Sequence, residues 1–227
     1  GVTESHFVDS LALLNKIRAA GSDSRVIEAI NANLPNGSDY RGSWDNYIRE
    51  CTLRKIDLGL STLDDILSAP LPEALRFDST LYGTQIYLNG ATGQNLTCSQ
   101  AYSELRSIQN SLKGTFLSNS LSEVLQSNPS SGGYGYYNVF DEIAGALQAL
   151  SLSSQDAYAY VEASILEPIY QEAVLGKYQD LQDFSSAIMI NEALQQRNVQ
   201  WASEQTLFMT TIRPLQTFFE GLVYALT

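Results

Sequence analysis

Histidine is almost missing from this chain. His6 stands alone among 227 residues, so a Ser-His-Asp triad would have to be built on that one side chain. Cysteine is nearly as scarce. Cys51 and Cys98 are the whole inventory and no CxxC spacing exists, which leaves a zinc site short of both its usual nitrogen and sulfur ligands. Positive charge is also thin. Lys and Arg total 13 against 25 Asp and Glu, for a net charge of -12, and the cations are scattered. Phosphate backbones and anionic lipid headgroups are bound by clustered Lys and Arg, so composition argues against direct nucleic-acid binding and against headgroup docking. The HExxH, GxSxG and GxxxxGK[ST] motifs are lacking. Gly176-Lys177 is followed by Tyr178 and has no earlier glycine to complete a phosphate loop. Asp64-Asp65 and Asp141-Glu142 are adjacent on helical patterns, where neighbours diverge by about 100°, and they read as solvated faces. The sequence predicts a non-enzyme with no cofactor and no metal.

Apolar material, by contrast, is ample. The chain is 44% hydrophobic and only 17% charged, so Ser, Gln, Asn and Tyr carry much of the polar surface. Its length fits one large or two small domains. It opens at Gly1 with no preceding Met and no signal-peptide pattern, which predicts a trimmed N-terminus and any targeting element outside these residues.

Periodicity is helical over most of the length. Residues 5–20 place Phe7, Leu11, Leu14 and Ile17 on one face, with Gly21 as the stop. Ser24 is expected to cap a second helix carrying Val26, Ile27, Ile30 and Leu34, closed by the turn Pro35-Asn36-Gly37. Ser43 is expected to open a third, in which Trp44, Ile48 and Cys51 recur on a buried stripe and Gly59 ends the run. Thr62 caps a short helix that Pro70 and Pro72 terminate. Thr84 to Leu88 alternates, Asn89-Gly90 and Gly93 supply turn residues, and Asn95 to Cys98 returns, which predicts a hairpin. Thr97 or Ser99 then caps a helix with Ala101, Leu105, Ile108 and Leu112 on one side. Later helical stretches cover 138–150, 154–175 carrying Tyr158, Val161, Ile165 and Ile169 with a kink at Pro168, and about 180 to the end. The predicted fold is mainly α, an irregular helical domain with one small β-hairpin and a long C-terminal helix leading towards a membrane span.

Three features carry the functional reading. An even pair of cysteines fits either one disulfide in an oxidising compartment or two buried cytosolic thiols. A bridge would staple the hairpin and its following helix to the third helix. The low-complexity stretch 127–137 is a flexible surface loop, or else a contact surface presenting Tyr134, Tyr136 and Tyr137. After Pro214 the pattern turns strongly apolar, with Leu215, Phe218, Phe219, Leu222 and Val223 broken only by Glu220. A span needs about 20 mostly apolar residues, so this end reads as the beginning of a span or as a terminal helix docked on the core. The first reading sets a domain at 1–213 and the start of a transmembrane helix at 214–227. Left in water, so apolar a segment would fold back or pair with another copy, so self-association is a further expectation.

The segments around the cysteines are Ile48-Arg49-Glu50-Cys51 running on to Leu63-Asp64-Asp65-Ile66-Leu67, and Leu96-Thr97-Cys98-Ser99-Gln100-Ala101. With Gln196-Arg197-Asn198 and the apolar run after Pro214, they resemble the N-terminal region of the TraG mating-pair-stabilisation family of F-type conjugative type IV secretion. In that family a periplasmic segment with a similarly placed cysteine pair lies between membrane spans. The resemblance implies a periplasmic domain of an inner-membrane protein, with other pilus-assembly envelope proteins as partners and the inner membrane reached through flanking segments. It implies a role in pilus assembly and mating-pair formation. The family's C-terminal region, tied to mating-pair stabilisation and entry exclusion, is not in this sequence, so exclusion is not expected of these residues. The coupling ATPases that share the family's name are a different group, and the incomplete phosphate loop separates this chain from them. A periplasmic location favours the Cys51–Cys98 disulfide, and a following span accounts for the apolar end. The competing classes are a secreted or periplasmic hydrolase and a solute-binding domain.

Overall fold

Every residue from Tyr160 to Glu167 is buried. Successive helical side chains point about 100° apart, so this stretch is covered on all sides, as the central helix of a core must be. It belongs to α9 (Ala157–Asp180), which continues through Pro168. The computed structural model of the protein describes residues 2–69, 71–112, 115–126, 139–150 and 156–180. Within them the chain is mainly helical, with one small two-stranded antiparallel hairpin.

Around α9 pack α1 (Val2–Ala20), α3 (Tyr40–Tyr47) with the turn Ile48–Thr52 that continues it, and α8 (Val139–Ala149). From α1 come the buried Leu13, Leu14 and Ile17, and from α8 come Ile143 and Leu147. Phe7 and Leu11 pack only partly against this core. The Tyr160 hydroxyl ties α9 to α1 by donating to the Leu14 carbonyl at 3.0 Å. A second layer sets α2 (Ser24–Ala32) on α7 (Thr115–Gln126). The sequence reading has no counterpart of α7. Its Leu117, Leu121, Val124 and Leu125 are buried, but a run of serines and one Asn between them dilutes the apolar pattern.

Two helix starts differ from expectation. Asp23, not Ser24, caps α2, its carboxylate accepting from the Arg25 amide at 2.9 Å. Asp39, not Ser43, caps α3, accepting from the Gly42 amide at 2.9 Å. Ser43 is fully buried one turn inside the helix, where its hydroxyl accepts from the Tyr87 amide at 2.8 Å. At α2 the choice falls to the carboxylate because an ionised acceptor makes the stronger bond to an exposed amide.

Beyond α3 the helix widens into a single π-helical turn, Ile48–Thr52, and resumes as α4 (Leu53–Asp57). Gly59, in the left-handed region at φ +71°, ends it. Thr62 then caps α5 (Leu63–Ser68) with a reciprocal pair of bonds to Asp65, of 3.1 and 2.7 Å. Strand β1 (Gly83–Ile86) pairs with β2 (Gln94–Thr97) in the register Gly83 to Thr97 and Ile86 to Gln94. Tyr87, expected within the strand, leaves the hairpin. Its carbonyl accepts from the Asp39 amide at 2.7 Å, so strand and helix cap are pinned together. α6 (Cys98–Ser111) starts directly from β2, with Thr97 as its cap and Gln100 completing the box.

Candidate functional site

The cysteines are placed by two different devices. Cys51 lies in the π-helical turn, where one extra residue per turn shifts the side chains that follow relative to a regular helix. The Leu53 amide accordingly reaches back to the Ile48 carbonyl. Cys98 is the first residue of α6, fixed by the strand behind it and the Thr97 cap. The two are joined in a disulfide with S–S 2.08 Å and Cα–Cα 5.6 Å, and both are fully buried.

An aromatic cluster fills the space beside it. Trp44 meets Tyr47 edge-on at 5.8 Å and Tyr102 edge-on at 6.4 Å, and Tyr47 and Tyr102 lie 5.8 Å apart. These rings come from α6 and from α3, and the disulfide joins α6 to the π-helical turn that continues α3. Their hydroxyls bond to the irregular segment 71–79 and hold it down. The Phe77 amide donates to the Tyr47 hydroxyl at 2.9 Å, and Tyr102 donates to the Pro72 carbonyl at 3.4 Å. Thr52 adds a bond to the Leu75 carbonyl at 2.7 Å. Burial pushes the Tyr40 and Tyr47 hydroxyls far above the ordinary tyrosine value, and Tyr102 up to about 12. They stay protonated at neutral pH and act as fixed hydrogen-bonding groups rather than bases.

A polar hub links α6 to α9. The Arg106 guanidinium is ion-paired with Glu162, whose side chain is only 8% exposed, and reaches Glu73 at 3.4 Å. It also donates to Gln109 at 2.8 Å, and Gln109 donates to the Tyr40 hydroxyl at 3.4 Å. Sequence reasoning missed this hub. The one available signal was Glu162 itself, a charge set inside the apolar run Tyr160-Val161-Glu162-Ala163. Further contacts tie the second half of α9 to the cysteine-bearing helix: Arg41 pairs with Glu172, and Lys177 with Asp57.

Of the expected functional residues, the structure brings Cys51 and Cys98 together. Tyr134, Tyr136 and Tyr137, and Leu215, Phe218, Phe219, Leu222 and Val223, lie outside the described residues, as do the domain boundary at 213 and the whole terminal helix. Among the described residues no group of three or more His, Cys, Asp and Glu side chains converges to hold a metal ion, and no helix is long and apolar enough to cross a membrane. A shallow groove of about 600 Å³ opens beside the hairpin, lined by Glu50, Leu81, Tyr82, Gln85, Asn95 and Leu96 among others.

These features define a helical domain stapled by one buried disulfide, with its polar chemistry spent on holding helices in place. The family model for the N-terminal region of TraG-like proteins matches residues 1–227, and the chain belongs to that family. It is thus a conjugation-related protein of the TraG type, part of the conjugative envelope machinery and involved with its proteins. Comparison with curated proteins and with solved structures finds no match.

Proposed function

We propose that this chain is the periplasmic domain of an inner-membrane component of a conjugative type IV secretion system. It acts through protein–protein contacts in pilus assembly and mating-pair formation, without catalysing a reaction. The observation that carries this reading is the family match over the whole chain. The buried Cys51–Cys98 bridge supports it, since stable disulfides belong to oxidising compartments such as the periplasm. In this reading residues 1–213 form the periplasmic unit and 214–227 begin a membrane span, with Leu215, Phe218, Phe219, Leu222 and Val223 entering lipid. Tyr134, Tyr136 and Tyr137 then serve as a contact surface for envelope partners.

In-cell crosslinking is the direct test. A photoreactive residue placed at Tyr134, Tyr136 or Tyr137 in the full-length protein, in a donor strain assembling pili, should capture pilus-assembly envelope proteins, and capture should fall when the other transfer genes are removed. Capture of cytoplasmic proteins alone would overturn the assignment. For the span, a membrane-impermeant thiol reagent applied from the periplasmic side should leave Leu222→Cys unlabelled. Ready labelling would place that residue in water.

A further inference from the structure

The sequence holds two Asn-Gly pairs, Asn36-Gly37 and Asn89-Gly90, and the fold packs their turns against each other. A Cβ on Gly37 would stand 2.9 Å from the Ala91 Cβ, and one on Gly90 would stand 3.5 Å from the Asn36 carbonyl oxygen. Both glycines lie in the left-handed region, at φ +87° and +105°, where a side chain is strained. Ser38 is buried between the two turns. Its hydroxyl donates to the Pro35 carbonyl at 2.6 Å and accepts from the Gly90 amide at 2.9 Å.

An Asn followed by Gly is chemically exposed, because glycine has no Cβ to keep its nitrogen away from the neighbouring side-chain carbonyl. Closure requires the glycine amide to lose its proton and the Asn side-chain nitrogen to leave. The two pairs differ in both respects. The Gly90 amide proton is held by Ser38, and the Asn89 side-chain nitrogen donates to the Gln94 side-chain oxygen at 3.0 Å. Attack at Asn89 must therefore break two hydrogen bonds first. At the other pair Asn36 and Gly37 are both exposed. Among the described residues neither the Asn36 side chain nor the Gly37 amide is hydrogen-bonded.

We infer that Asn36 is a site of spontaneous deamidation, and that Asn89, in the same dipeptide, is protected by Ser38 and Gln94. The Gly37 amide gives its proton to water, its nitrogen bonds to the Asn36 Cγ, and Nδ2 takes up a proton and leaves as ammonia. Water then opens the five-membered imide at one of its two carbonyls, giving aspartate or isoaspartate. One water enters for each ammonia released, and nothing is oxidised or reduced. Either product places a new negative charge in the turn. Isoaspartate also routes the backbone through an additional carbon, in a turn already wedged against Ala91. That turn leads into Asp39, whose side chain caps α3 and whose amide donates to the Tyr87 carbonyl at 2.7 Å. The modification therefore strikes where α3 is tied to the hairpin. It is independent of the proposed function.

Ageing the purified chain in mildly alkaline buffer tests it, with samples taken at intervals for peptide mass mapping and for labelling by an isoaspartyl methyltransferase. The peptide containing Asn36 should convert first, about fivefold or more faster than the one containing Asn89, which is the ratio that one net hydrogen bond supports. In concentrated denaturant the two rates should draw together, because the bonds that separate them are gone. Ser38→Ala should raise the Asn89 rate by freeing the Gly90 amide. Gln94→Ala, which leaves the buried serine in place, should raise it by freeing the leaving nitrogen. Asn36→Gln should remove the early product. Conversion of Asn89 as fast as Asn36 in the folded chain overturns the inference. So does a ratio that persists at full size in denaturant, since the fold would then not be its cause. An Asn89 rate unmoved by both Ser38→Ala and Gln94→Ala overturns the assignment of protection to these bonds.

Discussion

Gly21 lies against the carbonyl oxygen of Ser164, so close that a Cβ on Gly21 would stand 2.1 Å from it. The acceptor is available because Pro168, four residues on, has no amide to return the helical bond. The end of α1 thus packs on the place where α9 loses a hydrogen bond, and a Gly21 Cα–H points along the same line. Such a contact is weak, but it fixes the approach of two helices. Gly21→Ala forces backbone apart and should cost about 1–3 kcal/mol, read as a lower midpoint in urea. Gly176 makes an equally close approach, 2.3 Å, but to the Arg49 guanidinium at the end of a flexible side chain. Gly176→Ala should therefore be neutral or stabilising, by up to about 1 kcal/mol from helix propensity. Equal losses for both would contradict the distinction between a backbone and a side-chain neighbour.

The disulfide closes a loop of 47 residues. Chain-entropy estimates give a bridge of that span about 4 kcal/mol of stability, most of it through the unfolded state. Cys51→Ala with Cys98→Ala should lower the melting temperature by many degrees under oxidising conditions, and the difference should shrink when wild type is reduced. Alkylation of native oxidised protein without reductant should find no thiol.

Arg106 is the guanidinium partner of a carboxylate that the core has almost closed over. Removing one member of such a pair costs more than the pair contributes, because the remaining charge stays desolvated. Arg106→Met should lose about 3 kcal/mol, and adding Glu162→Gln should recover part of that. A double variant that only adds the two single losses would show that the pair is not coupled.

Acid should weaken the fold through its caps. The Arg25 side chain and amide hold Asp23 below the ordinary carboxylate range, and the Thr62 amide and hydroxyl do the same for Asp65. A depressed folded value means stability present above the unfolded pKa of about 4 and lost as pH falls through the folded value. Glu142, pushed up by burial, has the opposite sense. Its contribution is present below the unfolded pKa and lost as pH rises through the folded one. Melting temperatures followed from neutral pH into the acid range should drop below about pH 4. The drop should be shallower in Asp23→Asn with Asp65→Asn, and an unchanged slope would rule the caps out as its source.

Features settled within three or four residues are legible in the sequence. Thr62 caps its helix as expected, Thr97 is one of the two caps expected for the next, Gly59 ends its helix, and the alternation near residue 84 is a hairpin. The stripe of Trp44, Ile48 and Cys51 is buried as its spacing implies. These are local hydrogen bonds and one face of one helix, and nearby side chains dictate them. Tertiary structure decided the rest. Asp39 took the cap from Ser43 because Tyr87, far along the chain, claimed the serine hydroxyl. The sequence reading of α9 rests on the spaced apolar residues Tyr158, Val161, Ile165 and Ile169, yet from Tyr160 to Glu167 helices on several sides bury it all round, Glu162 included. Periodicity records contrast between a wet face and a dry one, and a helix with no wet face leaves no such record. Whether Cys51 meets Cys98, which carboxylate Arg106 finds, and which leucines stay in water depend on distances between elements that no local pattern specifies.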